Sequence, residues 1–201
     1  MTGARAVVRL IDALNEHVGR TVSWLALIMV LVQMVVVVMR YVFGVSWLAL
    51  QESIVYMHAA VFLAAAGYTL LHDGHVRVDI FYRPASARRQ AFVDLCGAIL
   101  FLLPMSVSIF VISFPYVAKS WRVLETSQEG SGIPAVFLLK TIILVYTVLV
   151  ALQGIALALR SIMTLSGIAP PPRPVEDGPA NSEPTAPVNK DQAGDKSLEG
   201  V

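Results

Sequence analysis

The sequence predicts an all-α integral membrane protein: four transmembrane helices with both termini cytoplasmic, interfacial helical segments, and a disordered C-terminal tail. Three observations predict it. Residues 21–39, 54–71, 95–118 and 141–159 are apolar stretches without a formal charge. A helix needs about 20 such residues, with tolerance down to roughly 17, to cross about 30 Å of hydrocarbon. The bilayer core gives the backbone no water to bond, so a spanning segment of this kind folds as a helix rather than as a loop or a lone strand. Second, Lys and Arg are shared unevenly among the segments that flank these stretches; third, the composition changes abruptly at Gly167.

Residues 1–20 precede the first span. Val7, Leu10, Ile11, Leu14 and Val18 recur there at helical spacing, while Arg9, Asp12, Glu16 and Arg20 take other positions. This is an amphipathic cytoplasmic segment, either lying at the inner interface or extending the first span. The first apolar stretch is too long for a secretory h-region and runs into Met39-Arg40-Tyr41 without a small-residue cleavage site, so it is a retained helix. In the first connection Gly44 permits a turn, and Trp47, Leu48 and Leu50 offer an apolar face to the headgroups. Glu52 then opens the second helix, where a carboxylate favours the helix dipole.

The second helix carries Ala59, Ala60, Ala64, Ala66 and Gly67, a small-residue surface on which another backbone approaches closely. Asp73-Gly74 turns the chain at its end, Val76 and Val78 alternate in a short extended stretch, and Pro84 takes the first turn of the next helix. Pro104 and Pro115 kink or loosen the third helix. Trp24, Tyr41, Trp47, Tyr116, Trp121 and Tyr146 mostly fall near span ends, as an aromatic belt requires. The four spans together make a transmembrane domain over residues 21–160. Residues 167–201 hold seven of the eleven prolines, charges of both signs and no apolar periodicity. Such a segment buries too little surface to offset chain entropy, which predicts a disordered cytoplasmic tail.

Orientation follows from the basic residues. The N-terminus, the second connection and the C-terminus hold eleven Lys and Arg between them, against three in the first and third connections. Cytoplasmic loops carry the excess, so both termini lie inside. With 56% apolar residues concentrated in the spans, no stretch remains to build a soluble domain. A net charge of +1 without a basic face excludes a nucleic-acid partner, and the single cysteine, Cys96, excludes an internal disulfide.

Few residues are candidates for chemistry, and none reads as catalytic. Arg40 and Glu52 flank the first connection. They either pair with each other or with a partner protein to hold the loop, or else Arg40 snorkels and Glu52 is solvated. His72, Asp73, His75 and Asp79 form the densest polar cluster, but they lack a second ligand pair at a recognised metal spacing, so no metal is expected. Gln33 and Gln153, inside the first and fourth spans, suit interhelical hydrogen bonds. His58 is the one candidate haem ligand within a span, yet His17, His72 and His75 lie toward the opposite face, and no cofactor is expected. Lys140 either reaches the outer interface or meets an acidic group on a partner.

Arg40-Tyr-Val-Phe-Gly, then Trp47 with Glu52, then a second helix closing on Gly74-His75-Val76-Arg77-Val78-Asp79 resemble the small membrane subunit, DctQ type, of tripartite ATP-independent periplasmic (TRAP) transporters. The resemblance covers about residues 20–160. It implies a bacterial inner-membrane protein that joins a large multi-span membrane subunit holding the substrate and ion sites, with a periplasmic solute-binding protein delivering the substrate. By the same resemblance Arg40, Trp47 and Glu52 sit at the outer surface where subunits meet, and His75 and Asp79 at the inner connection. Residues 125–134, with Lys140 and Gln153, are similar to members grouped with mannitol, haloaromatic or 2-oxo acid uptake, which implies an organic acid. The readings opposed to it are a haem-bearing four-helix membrane anchor and a free-standing scaffold or small channel.

Overall fold

The long uncharged runs fold as the sequence predicts, and among the described residues the structure, a computed structural model, is helical throughout its regular elements. It describes residues 2–75, 82 and 85–174. Among the described residues, four helical runs are long and apolar enough to cross a membrane: Gly3–Tyr41, Leu48–Leu71, Ala87–Arg122 and Val136–Leu165. The start of the first run and the end of the last meet at one end of the bundle, here the terminal end; the first and third connections lie at the far end.

The first run is a single helix, α1 (Thr2–Tyr41), of 40 residues. At 1.5 Å per residue it is about 60 Å long, twice the hydrocarbon thickness. The amphipathic segment is therefore an extension of the first span and not a separate interfacial helix. Gly44 makes the turn beyond it, at φ +68°, a conformation that costs a residue without Cβ nothing.

The second run comprises α2 (Leu48–Ala64) and α3 (Ala66–Leu71), separated at Ala65. Asp73 adopts φ +55° and the Gly74 N–H donates to Thr69 O at 2.8 Å, so these two residues do turn the chain where the run ends. Because α2 begins at Leu48, Glu52 lies beyond its first turn. The dipole role assigned to Glu52 is corrected accordingly, since that effect fades within one turn.

The third run contains α4 (Ala87–Gly97), a π-helical turn (Ala98–Leu102) and α5 (Leu103–Arg122). Pro104 has no N–H for the Leu100 carbonyl, and its ring crowds that carbonyl. The widened turn just before it, where Leu103 N–H bonds Ala98 O, relieves the crowding. At Pro115 the helix continues unbroken. The fourth run is α6 (Val136–Leu165), which packs against every other run and holds more buried residues than any of them.

Gly67 lies where α3 passes between α1 and α6. A Cβ there would stand 2.0 Å from Asn15 Oδ1 and 3.4 Å from Leu149 Cβ. With Ala64 also buried, the small-residue surface of the second span makes room at Gly67 for the Asn15 side chain of α1. Val8, Ile11, Ala156 and Met163 form an apolar cluster between α1 and α6 at the terminal end.

Candidate functional site

The sequence sorts Asp12 onto the polar side of α1, but the fold turns it inward. Its carboxylate is 5% exposed and forms an ion pair with Arg160 of α6, itself 9% exposed. Gln153 Nε2 donates to Asp12 Oδ1 at 3.2 Å, and Asn15 Nδ2 donates to Gln153 Oε1 at 2.9 Å. The Arg160 guanidinium also donates to the Pro171 carbonyl at 2.5 Å. This lock joins the first and last spans. It includes the interhelical bonds expected of Gln153 and recruits Arg160, a residue counted only as a flanking positive charge.

The lock also ties down the chain beyond α6. Arg5 donates to Ala169 O at 3.0 Å, and Arg173 pairs with Asp73. Residues 167–174, the start of the segment expected to be a free tail, thus pack on the terminal end of the bundle; residues 175–201 lie outside the described residues. Nearby, His72 Nε2 meets Glu16 Oε2 at 2.7 Å, and Glu16 also accepts from Arg20 Nε at 2.6 Å. His72 is thereby committed to α1 rather than to its neighbours in sequence. His75 is exposed, and Asp79 lies outside the described residues. Among the described residues, no three His, Cys, Asp or Glu side chains converge as a metal site would need.

A second cluster closes the far end. Glu52 is half-buried and takes two hydrogen bonds from the third connection: Ser127 Oγ donates at 2.5 Å and the Ile133 backbone N–H at 2.6 Å. Glu52 is therefore bonded within this chain and not to Arg40, which is exposed with no ion pair among the described residues. Lys140 reaches Glu125 of the same connection at 2.5 Å and lies 4.1 Å from the centre of the Tyr116 ring. The acidic group that Lys140 meets thus belongs to this chain, in the connection at the far end toward which its stem was expected to reach. The hydrogen bond from Lys140 holds the Glu125 carboxyl below its ordinary pKa. Trp121 Nε1 donates to Thr141 Oγ1 at 2.9 Å and packs edge-on to Phe137, which fastens α5 to α6 beside the loop. Trp47, by contrast, is 63% exposed.

Between these ends, α1 and α2 leave a groove of about 450 Å³, lined by Met29, Val30, Gln33, Ile54, Val55 and His58. Gln33 is exposed there, without the interhelical bond expected of it. His58 stacks on Phe62 at 6.2 Å, and no second histidine lines the groove to complete a haem site.

The predicted site residues thus divide. Glu52 and Lys140 are brought together around one loop, while Arg40, Trp47 and His75 face outward. Neither a curated protein nor a solved structure matches the chain. A family model does, that of the DctQ component of tripartite ATP-independent periplasmic transporters, over residues 8–164. With four membrane-spanning runs and that match across most of its length, the chain belongs to the DctQ family, the small permease subunits of TRAP transporters.

Proposed function

We propose that this subunit braces the stationary part of a large membrane subunit in a bacterial inner membrane, both termini cytoplasmic, while an ion gradient drives import of an organic acid delivered by a periplasmic binding protein. One observation carries the reading. The buried polar side chains between the first and last spans, Asp12, Asn15, Gln153 and Arg160, bond one another. A rigid support needs such locks, whereas a solute route needs polar groups free to exchange water for ligand. Family membership supports the partners, and the excess of Arg and Lys at the terminal end supports the orientation.

The test is reconstitution. Vesicles holding both membrane subunits, supplied with the binding protein and an inward sodium gradient, are expected to accumulate a labelled carboxylate. Omitting this chain, or collapsing the gradient with an ionophore, should reduce uptake to the level of empty vesicles. Undiminished uptake by the large subunit alone would refute the bracing role.

A further inference from the structure

We propose that the groove between α1 and α2 is the seat of a transmembrane helix from the large membrane subunit, one that presents a hydrogen-bonding side chain at the level of Gln33 and His58. The proposal rests on the reading of this chain as a permease subunit and specifies which of its faces meets the partner.

Three observations converge on that face. The first concerns depth. Gln33 lies eight residues before Tyr41 and His58 ten residues after Leu48, which places them about 12 and 15 Å from the far end of their helices. Both therefore stand inside runs long enough to cross the hydrocarbon layer, away from the polar far end. The second is that both are exposed and neither has a hydrogen-bond partner among the described residues, although they line one otherwise apolar groove. Lipid tails offer nothing to an amide or an imidazole, so such groups belong against protein or a wet cavity.

The third observation is the packing of α1. None of its residues beyond Gly19 is buried, and Leu27, Val30, Leu31 and Met34 are each more than half exposed. The terminal half of α1 is locked to α6, yet its spanning half leaves one flank uncovered. A helix laid in the groove would cover Met29 and Val30 on one side and Ile54 and Val55 on the other. It would also give the Gln33 amide and the His58 imidazole a donor or acceptor. An acyl chain fills the same volume but leaves both polar groups unpaired, so the polar pair favours a helix over lipid.

The experiment uses the full-length chain expressed with its large subunit. A photo-crosslinking phenylalanine replaces Val30 or Val55 in the groove, or Phe101 or Ile112, which are 74% exposed on the third run, as controls. Irradiation in membranes is expected to join the two subunits from Val30 and Val55 and not from the controls. In parallel, Gln33→Leu combined with His58→Leu should lower recovery of the large subunit about fivefold, whereas Gln33→Asn and His58→Gln should restore it. If the complex is recovered but the groove positions yield only lipid adducts or a second copy of this chain, the proposal is overturned while the permease reading stands. Adducts from Phe101 or Ile112 alone overturn it equally. If the unmodified chain brings down no large subunit, both fall together. Crosslinking leaves Gln33 and His58 in place, so it decides the question even where the leucine variants misfold.

Discussion

Replacing Asp12 by Ala should be among the most damaging single changes in this protein. The substitution leaves the Arg160 guanidinium 9% exposed, with the Pro171 carbonyl as an acceptor but no anion, and deprives Gln153 of the oxygen to which it donates. Breaking a buried ion pair from one side costs about 3–5 kcal/mol, most of it the penalty of a stranded charge. Arg160→Met strands the Asp12 carboxylate and should cost a similar amount. The double change Asp12→Leu with Arg160→Met removes both charges and fills the space with apolar atoms, so it should lie within about 2 kcal/mol of the parent protein. The double variant is thus expected to be more stable than either single one. Unfolding in mixed micelles of a mild detergent and increasing dodecyl sulfate, followed by circular dichroism, measures all four corners of this cycle. Additive losses, or an Asp12→Ala loss under about 1 kcal/mol, would show that the pair is solvated and the lock is not what joins α1 to α6.

Gly67→Ala should destabilise by about 1–3 kcal/mol, because the new methyl group meets an Asn15 side chain held by Gln153 and Ile11 O. In the same micelle titration, restoration by Asn15→Ser is the expected check, and an unchanged midpoint for the Ala variant would contradict the close approach. Glu52→Ala leaves Ser127 and the Ile133 N–H without their acceptor, so residues 123–135 should exchange amide hydrogens and admit protease faster while the helices stay protected. Equal exchange at Ile133 in both proteins would count against the clasp. Glu125 has a lowered folded pKa, so its stabilisation is complete above the ordinary carboxylate pKa and is lost as pH falls through the lower folded value. Protection of the third connection should hold from neutral pH down to that range and then decline, and Glu125→Gln should reduce the acid dependence, leaving the share that belongs to the Glu52 carboxylate bound by Ser127 and Ile133.

The spans were legible because hydrocarbon burial demands a long uncharged run, and nothing else in the chain imitates one. Their ends were not. Beyond the bilayer a helix continues as long as some face remains packed, so α1 takes in Arg5, Arg9 and Arg20 without interruption. Asp12 was misplaced because periodicity sorts residues by polarity, whereas the face of α1 against α6 mixes Val8 and Ile11 with Asp12 and Asn15. The ion that makes this burial tolerable, Arg160, lies 148 residues away. One of the two bonds to Glu52 comes from a backbone N–H 81 residues distant, a donor every residue but proline possesses and no pattern singles out. The partner of Lys140 was closer to hand. Glu125 opens the connection that turns back through Pro134, and a lysine one turn inside the following helix faces that loop.

Helices in a bilayer gain little from burying apolar side chains against one another, since lipid is as apolar as leucine. A four-helix subunit therefore needs bonds with direction, and this one places them at its two ends: the Asp12–Arg160 lock where the termini emerge, and the Glu52 and Lys140 clasps at the far loop. Those sites are where the chain departs from uncharged sequence, so charged side chains at its two ends fasten the bundle. Gln33 and His58 break the pattern, as polar groups inside the spanning runs that fasten nothing within the chain. A subunit closed upon itself would gain by replacing them with leucine. Their presence on an uncovered flank of α1 fits a fold that is fastened at both ends and whose middle is shaped for something outside it.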